Sequence, residues 1–505
     1  MKNTKIMALI GATAILTIGA AFTSLAASYN WYQVNGVWHC KDRNGDEITQ
    51  DWAKSGNDMY YLDENGEMAS DYFLEDNDNY YYLDETGRMT KNRWVKVENP
   101  EDNDEDEFSW YYFQSSGKAM KGKSTLKPAS VNGQKYIFGE DGKMQYGWVG
   151  GTADNNDEYA WKDAIYYCGD AEDGAVRTGW AKIDVIDDSD EVDSENQSYW
   201  FYFGTNGQKT AATGNATLIE KSINGKRYAF DNHGVMKAEW VQTNASGSAA
   251  NVGSYAYFQN PEQGAMMKKG WFRVLPKDKV NGKDNEDEVA HWYYAKGDGS
   301  LYQNEFKTIN GKKYAFNDKG EMIAGLYFFD VNDIAGTINS ESACIDTENE
   351  IEDVMKGEAP YTSDNGALYF FGDEATDGSM KLGLQKITVD GENYSVNLKS
   401  SGSSKGQGIN GISGSAYYIN GFKLCADEEL RYQAFEAEWN DGVTVPSKAT
   451  DIKTISPTAT RHNSMSSDKN YVLISSSGAI VKNASSKKDA DDYKYSVKNY
   501  KATAQ

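Results

Sequence analysis

Cysteine is scarce in this chain. Its four copies, Cys40, Cys168, Cys344 and Cys425, are scattered with no CxxC spacing. A disulfide framework needs closer and denser cysteines, so none is expected. Cys168 stands in "IYYCG" where similar segments carry Leu or Phe, which marks it as a small core residue. Histidine is as rare: His39, His233, His291 and His462 lie within or beside segments whose role reads as structural, and no HExxH motif, nor any Cys–His pairing outside the repeats, accompanies them. Basic residues are outnumbered, 51 Lys and Arg against 76 Asp and Glu, for a formal charge of −25. That balance excludes nucleic acid as a natural partner, because Lys and Arg supply most of such affinity. It also opposes unassisted binding to anionic membranes.

Long apolar runs are missing as well, except at the start. Residues 1–27 read as a secretory signal peptide: Lys2 and Lys5, an apolar run from Ile6 to about Phe22, then small residues, with cleavage expected after Ala26 or Ala27. Nothing after it has the length to span a membrane. The chain ends "KNYKATAQ", without an apolar tail or sorting motif, so retention at a surface is expected to be non-covalent.

What the chain has instead is tyrosine, 35 of them, with 48 glycines and 13 tryptophans. They are written into copies. "MYYLDENGEM" (59–68) is followed by "YYYLDETGRM" (80–89), with Gly66 and Gly87 21 residues apart and Gly45 another 21 before. Tyr60, Tyr61 and Leu62 suit a pleated strand. Asp63, Glu64, Asn65 and Gly66 form a turn cluster whose glycine takes positive φ without steric penalty. Each copy is therefore a β-hairpin. One hairpin is marginal in water, so neighbours must cover its aromatic face.

Beyond Trp94 the spacing loosens into a larger period. Trp110, Trp200 and Trp292 open WYYF-like strands, 90 and 92 residues apart. "NGQKYIF", "NGKRYAF" and "NGKKYAF" carry Gly133, Gly225 and Gly311, and Trp94, Trp180 and Trp271 precede them. The reading is all-β: an elongated β-hairpin solenoid of about 20-residue aromatic repeats, grouped in super-repeats of about 90 residues. The expected divisions are leading hairpin repeats (28–93), super-repeats at 94–179, 180–270 and 271–382, degenerate repeats (383–425), and a tail (426–505) ending in a worn copy. Segments 331–366, an insert in the third super-repeat, and 426–470 match no copy and are expected to be loops or poorly ordered.

Acidic runs at 98–107, 187–196 and 283–288 separate the Trp strands from the WYYF strands. None has the alternating acids, central Gly and closing Glu of an EF-hand, so they read as solvated loops and no metal is expected. Carboxylates are too abundant for counting to dismiss paired-carboxylate glycoside hydrolysis. No segment outside the repeats is long enough for a catalytic domain, so a non-enzymatic protein without cofactor is expected.

The tryptophans offer the remaining chemistry. Where two Trp and a neighbouring Tyr converge they enclose a slot, whose ring faces attract quaternary ammonium or stack on sugars. Because hairpins bury a face, many of these rings must also form core. The pattern GW…WYYF…G…M…GW resembles the choline-binding, cell-wall-binding repeat of Gram-positive surface proteins. It is also similar to the glucan-binding repeats of glucosyltransferases and the repeat region of large clostridial toxins. The likeness covers about 31–397. It implies a hairpin solenoid, secreted and held non-covalently on a cell-wall polymer, either choline-bearing teichoic acid or glycan. In choline-binding members the ligand lies between hairpins, among the connecting Trp, the Trp of the WYY strand and a neighbouring Tyr. Carried over, this marks Trp94 with Trp110, Trp180 with Trp200, and Trp271 with Trp292, and the candidate set is completed by Trp148, Trp240, Tyr112, Tyr202 and Tyr294. The chain departs from the pattern in its long acidic inserts and in Tyr255, Ile165 and Leu326, which replace cage tryptophans. Two other readings stay open: an adhesive surface protein whose aromatics are core only, and an accessory to a wall hydrolase.

Overall fold

The computed structural model describes residues 29–99, 107–151, 157–187, 195–332, 337–338, 343–361, 366–373 and 377–505. The signal peptide expected at 1–27 and most of the acidic runs at 98–107 and 187–196 lie outside the described residues. The chain divides into two compact units, Met1–Lys237 and Ala238–Gln505. Both are all-β and built mainly of antiparallel hairpins.

In the first unit the hairpins follow one another along the chain as a solenoid. Asp51–Ser55 pairs with Asp58–Leu62, Tyr72–Asp76 with Asn79–Leu83, Arg93–Glu98 with Phe108–Phe113, and Gly179–Asp187 with Glu195–Phe203. The NG hairpins turn on Asn132–Gly133 and Asn224–Gly225, where both residues have positive φ. Paired positive φ is the geometry whose twist matches the flanking strands. The "LDENG" and "LDETG" turns close differently. Asp84 Oδ1 accepts the backbone N–H groups of Thr86 (2.8 Å) and Arg88 (3.0 Å), and Asp63 does the same for Asn65 and Glu67.

Successive hairpins are joined by a repeated backbone bond. The N–H of Met89 donates to Met59 O, that of Ala119 to Tyr80 O, and that of Met144 to Trp110 O, all at 2.8–2.9 Å. The methionine side chain then passes beneath the next turn. A Cβ built on Gly87 would lie 2.8 Å from Met68 Cε, and one on Gly117 would lie 2.4 Å from Met89 Sδ. These two glycines also have φ of +81° and +84°. Gly and Met recur together because the Met of one repeat occupies the space that the Gly of the next leaves open.

The hairpin of Arg93–Glu98 with Phe108–Phe113 is covered on both faces, not one. Val95, Val97, Tyr111 and Phe113 face back onto Phe73, Tyr80 and Tyr82. Trp94, Trp110 and Tyr112 face forward onto Val131, Tyr136 and Phe138. The core is a run of small aromatic clusters, each shared by two neighbours.

The second unit opens the same way, with Gly270–Val274 paired to His291–Ala295 and Glu305–Ile309 to Lys312–Phe316. It then departs from the loops expected at 331–366. The hairpin of Gly325–Asn332 with Gly366–Phe371 is held apart by an insert that adds strands Thr337–Ile338 and Ala343–Cys344 and a helix, Glu348–Lys356. Thr347 and Glu350 form a reciprocal capping box, and Gly357 ends the helix at φ +69°. Ile351 and Val354 of this helix are buried against Leu326, Phe328, Val396 and Phe422. The segment 426–470 is likewise ordered: Tyr432–Trp439 pairs with Ile452–Thr460 and with Tyr471–Ser475 in one sheet. Alternation brings Phe435 and Ala437 into contact with Ile455 and Val472. All four cysteines are free, with Cys40 and Cys168 buried. Burial pushes the Cys168 thiol up to about 12. No helix among the described residues is long and apolar enough to cross a membrane.

Candidate aromatic binding site

Strand register decides which rings can meet. Trp94 lies opposite Tyr112 and Lys96 opposite Trp110, so Trp94, Trp110 and Tyr112 share one face, the two indoles on a diagonal. The same register places Trp180 opposite Tyr202 with Lys182 opposite Trp200, and Trp271 opposite Tyr294 with Arg273 opposite Trp292. The following NG hairpin closes each face.

Three equivalent slots result. Trp180 meets Trp200 with centroids 6.3 Å apart at 83°, Tyr202 at 5.1 Å, Tyr228 at 4.7 Å and Phe230 at 5.7 Å. Trp271 meets Trp292 at 6.4 Å and 85°, Tyr294 at 5.1 Å, Tyr314 at 4.8 Å and Phe316 at 5.7 Å. Trp94 has Tyr112 at 5.3 Å, Tyr136 at 4.8 Å and Phe138 at 5.7 Å, and Trp110 packs on the same cluster. Met144, Met236 and Met322 complete the three floors. The phenylalanines are buried and the six indoles half-buried, so each slot has a closed base and an open rim. Near-perpendicular indoles form a corner. A compact cation fits such a corner, whereas a sugar ring stacks on one broad open face.

Among the expected tyrosines, Tyr112, Tyr202 and Tyr294 belong to the same hairpin as their tryptophans. The tyrosines contributed by the neighbour are Tyr136, Tyr228 and Tyr314, from the "KY" and "RY" of the NG hairpins. That motif recurs visibly in the sequence, but its pairing with the Trp of the hairpin before emerges only from stacking. Trp148 and Trp240 line slots with a single indole. Trp148 packs on Tyr167 (4.8 Å) and Phe201 (5.1 Å). Trp240 packs on Tyr257 (5.2 Å) and Tyr293 (5.1 Å), its indole N–H donated to Leu275 O at 2.8 Å. Ile165 and Tyr255 stand where the other slots have their second Trp. Trp161, outside the expected set, is buried and donates its indole N–H to Ile186 O at 2.8 Å.

His291 does not stand alone. Its Nε2 lies 2.9 Å from Asp284 Oδ2, on a short helix (Gly282–Glu286) formed within the acidic run expected to be a loop. Asn281, buried, donates at 2.7 Å to both Asp284 and buried Glu321. Burial opposes ionisation of Asp284, but donors from Asn281 and His291 outweigh it and hold its carboxyl below the usual range. The ligand atoms of Asp284, His291 and Glu321 lie within 4.8 Å of one another, the grouping among the described residues with metal-ligand chemistry. His291 and Asp284 bond each other, and Asn281 links Asp284 to Glu321, which accounts for the cluster as a polar lock between helix and hairpin.

Comparison with known proteins fits this geometry. The choline-binding repeat family matches residues 49–94, and the putative cell wall binding repeat matches 109–119 and 304–322. The chain carries choline-binding-like, cell-wall-binding-type repeats at these positions. Glucosyltransferase-S of Streptococcus mutans is 24% identical over 221 residues, 44% of this chain but 11% of that protein. Among solved structures, CbpJ of Streptococcus pneumoniae is 19% identical, covering 71% of this chain and 99% of that one, with a TM-score of 0.38. The autolysin LytC of the same organism, solved with a synthetic peptidoglycan ligand, is 18% identical and covers 61% of this chain and 57% of that chain, with a TM-score of 0.33. The repeat protein thus spans about a tenth of the curated relative it matches, and a little over half of LytC.

Proposed function

We propose that this protein is a non-catalytic binding module that attaches to a cell-wall polymer through the slots of Trp94 with Trp110, Trp180 with Trp200, and Trp271 with Trp292. A quaternary ammonium of the choline type is the group they take. One observation carries this reading: the two indole pairs at 83° and 85° repeat in the same register, with the same Tyr, Phe and Met around them. Aromatics serving only as core would not need two half-exposed indoles per slot. The formal charge of −25 adds a field that favours a cationic ligand. The Trp240 slot, with one indole, is a weaker site of the same kind. The reading includes removal of residues 1–27 on secretion and the grouping of hairpins into super-repeats at 94–179, 180–270 and 271–382, which the equivalence of the three slots supports.

The test is retention on purified choline-containing walls, with and without excess choline. Release by choline is expected. Retention that choline leaves untouched but soluble glycan releases would replace the ammonium reading with sugar stacking. No retention at all would leave the aromatics as core and favour the adhesive alternative.

A further inference from the structure

The Trp148 slot holds a cation of its own. The turn before it reads "TNGQK", and Lys209 stands two residues after Gly207, as Met144 stands after Gly142, Met236 after Gly234 and Met322 after Gly320. Its backbone behaves as theirs does. Lys209 bridges Phe203 as Met144 bridges Phe138 and Met322 bridges Phe316, and its N–H donates to Ile165 O at 2.7 Å as that of Met144 donates to Trp110 O. Only the side chain differs. Its stem runs beneath Gly234, where a Cβ would come within 2.9 Å of Lys209 Cγ and Cδ. The ammonium then turns into the slot, 5.4 Å from the centroid of Trp148 and 5.9 Å from that of Phe201. It donates to Trp161 O at 2.5 Å and to Lys162 O at 3.4 Å.

We infer that Lys209 is the resident cation of the Trp148 slot and shuts that slot against external quaternary ammonium. The inference rests on the reading of the Trp-paired slots given above. The physical reason is twofold. The ammonium takes the ring faces a ligand would use, and a second positive charge at that distance would be repelled in a site with little water to screen it. Two backbone carbonyls and two rings offset part of the desolvation of the amine and hold it in the slot. Asp163 and Asp231 act on it with the opposite charge. Lys96 also reaches a slot indole, 5.9 Å from Trp110, but at the rim, paired at 2.7 Å with the exposed Glu172 and able to swing aside. Beside Lys209 lies a cavity of about 330 Å³, lined in part by Asp163, Ile165 and Gln208.

The experiment uses the full chain labelled with 5-fluorotryptophan, choline as the probe, and fluorine NMR lines assigned by Trp→Phe substitution. In the parent chain the Trp180 and Trp200 lines are expected to move with choline and the Trp148 line to stay. In Lys209→Met the Trp148 line should also move, at a concentration about tenfold higher, because Ile165 replaces one ring of the cage. Lys209→Leu, carrying the residue found at the matching position of the Trp240 slot (Leu301), serves if the Met variant fails to fold. A Trp148 line that moves in the parent overturns the inference. So does one that stays still in both folded variants while Trp180 and Trp200 respond, an outcome that leaves the wider function standing. Lines that never move in any variant overturn both.

Discussion

Trp200→Ala isolates one wall of one slot. In the structure Trp200 makes the 83° corner with Trp180 at 6.3 Å and is half-buried, while the base beneath it, Phe230 and Met236, belongs to the next hairpin and stays in place. A desolvated ring contributes up to about 2 kcal/mol to a bound cation, and a half-solvated one about 1–1.5 kcal/mol. Loss of the ring should weaken choline at that slot by about tenfold. The stability cost should be about 1–2 kcal/mol, below that of a fully buried Trp, because half the ring already meets water. Isothermal titration of the full chain with choline reads both consequences. The strong equivalents should fall from three to two while the affinity of the remaining two is unchanged, and Trp292→Ala should do the same from the second unit. Thermal unfolding checks the fold in parallel. If either variant keeps the number and affinity of its strong equivalents with the fold intact, the diagonal indole is not a wall of the site. The corner argument then fails for all three slots.

Two further perturbations test the scaffold. Gly87→Ala should destabilise by about 1 kcal/mol more than Gly36→Ala, because both impose positive φ on alanine but only Gly87 has Met68 within 3 Å of the added carbon; equal melting temperatures would refute the Gly–Met fit between repeats. Alkaline pH should act in two directions. Burial, with Asp231 and Asp163 partly opposing it, holds Lys209 down to about 8, so the folded chain binds fewer protons than the unfolded one from there to about 10.4, and stability gains from this group as pH rises through that window. Burial, helped by Asp76 and neighbouring acids, pushes Tyr61 up to about 12, and Tyr82, Tyr293, Tyr327 and Tyr495 are pushed further, chiefly by burial. Their contribution is full below the unfolded value near 10 and is lost as pH rises through the folded values. Urea unfolding from pH 7 to 12 should show the Lys209 gain vanish in Lys209→Met, and a steep loss above pH 10 in both; no loss above pH 10 would contradict the burial of these hydroxyls.

How much of this was legible beforehand depends on whether a residue's partner is local. Asp63 and Gly66 act within five residues, and the turn they form could be read from the letters alone. Trp94 and Trp110 could be paired only through the resemblance to choline-binding repeats, and the strand register of the structure then places them diagonally on one face. Tyr136 could not be assigned to Trp94, since nothing in a two-residue period says which hairpin covers which face. Repetition also misled. Because the copies were so regular, the stretches without a copy, 331–366 and 426–470, read as loops, although "DTENEIEDVMKG" carries a capping box and a closing glycine and "YQAFEAEW" alternates as a strand should. Lys209 shows the opposite failing. Set against a column of Met it looks like a worn copy, yet its backbone bonds are those of an intact repeat and only its ammonium is new. A substitution that leaves the hairpin unchanged while placing a charge on the ring face changes what the slot can hold, and a period counted along the chain registers it only as noise.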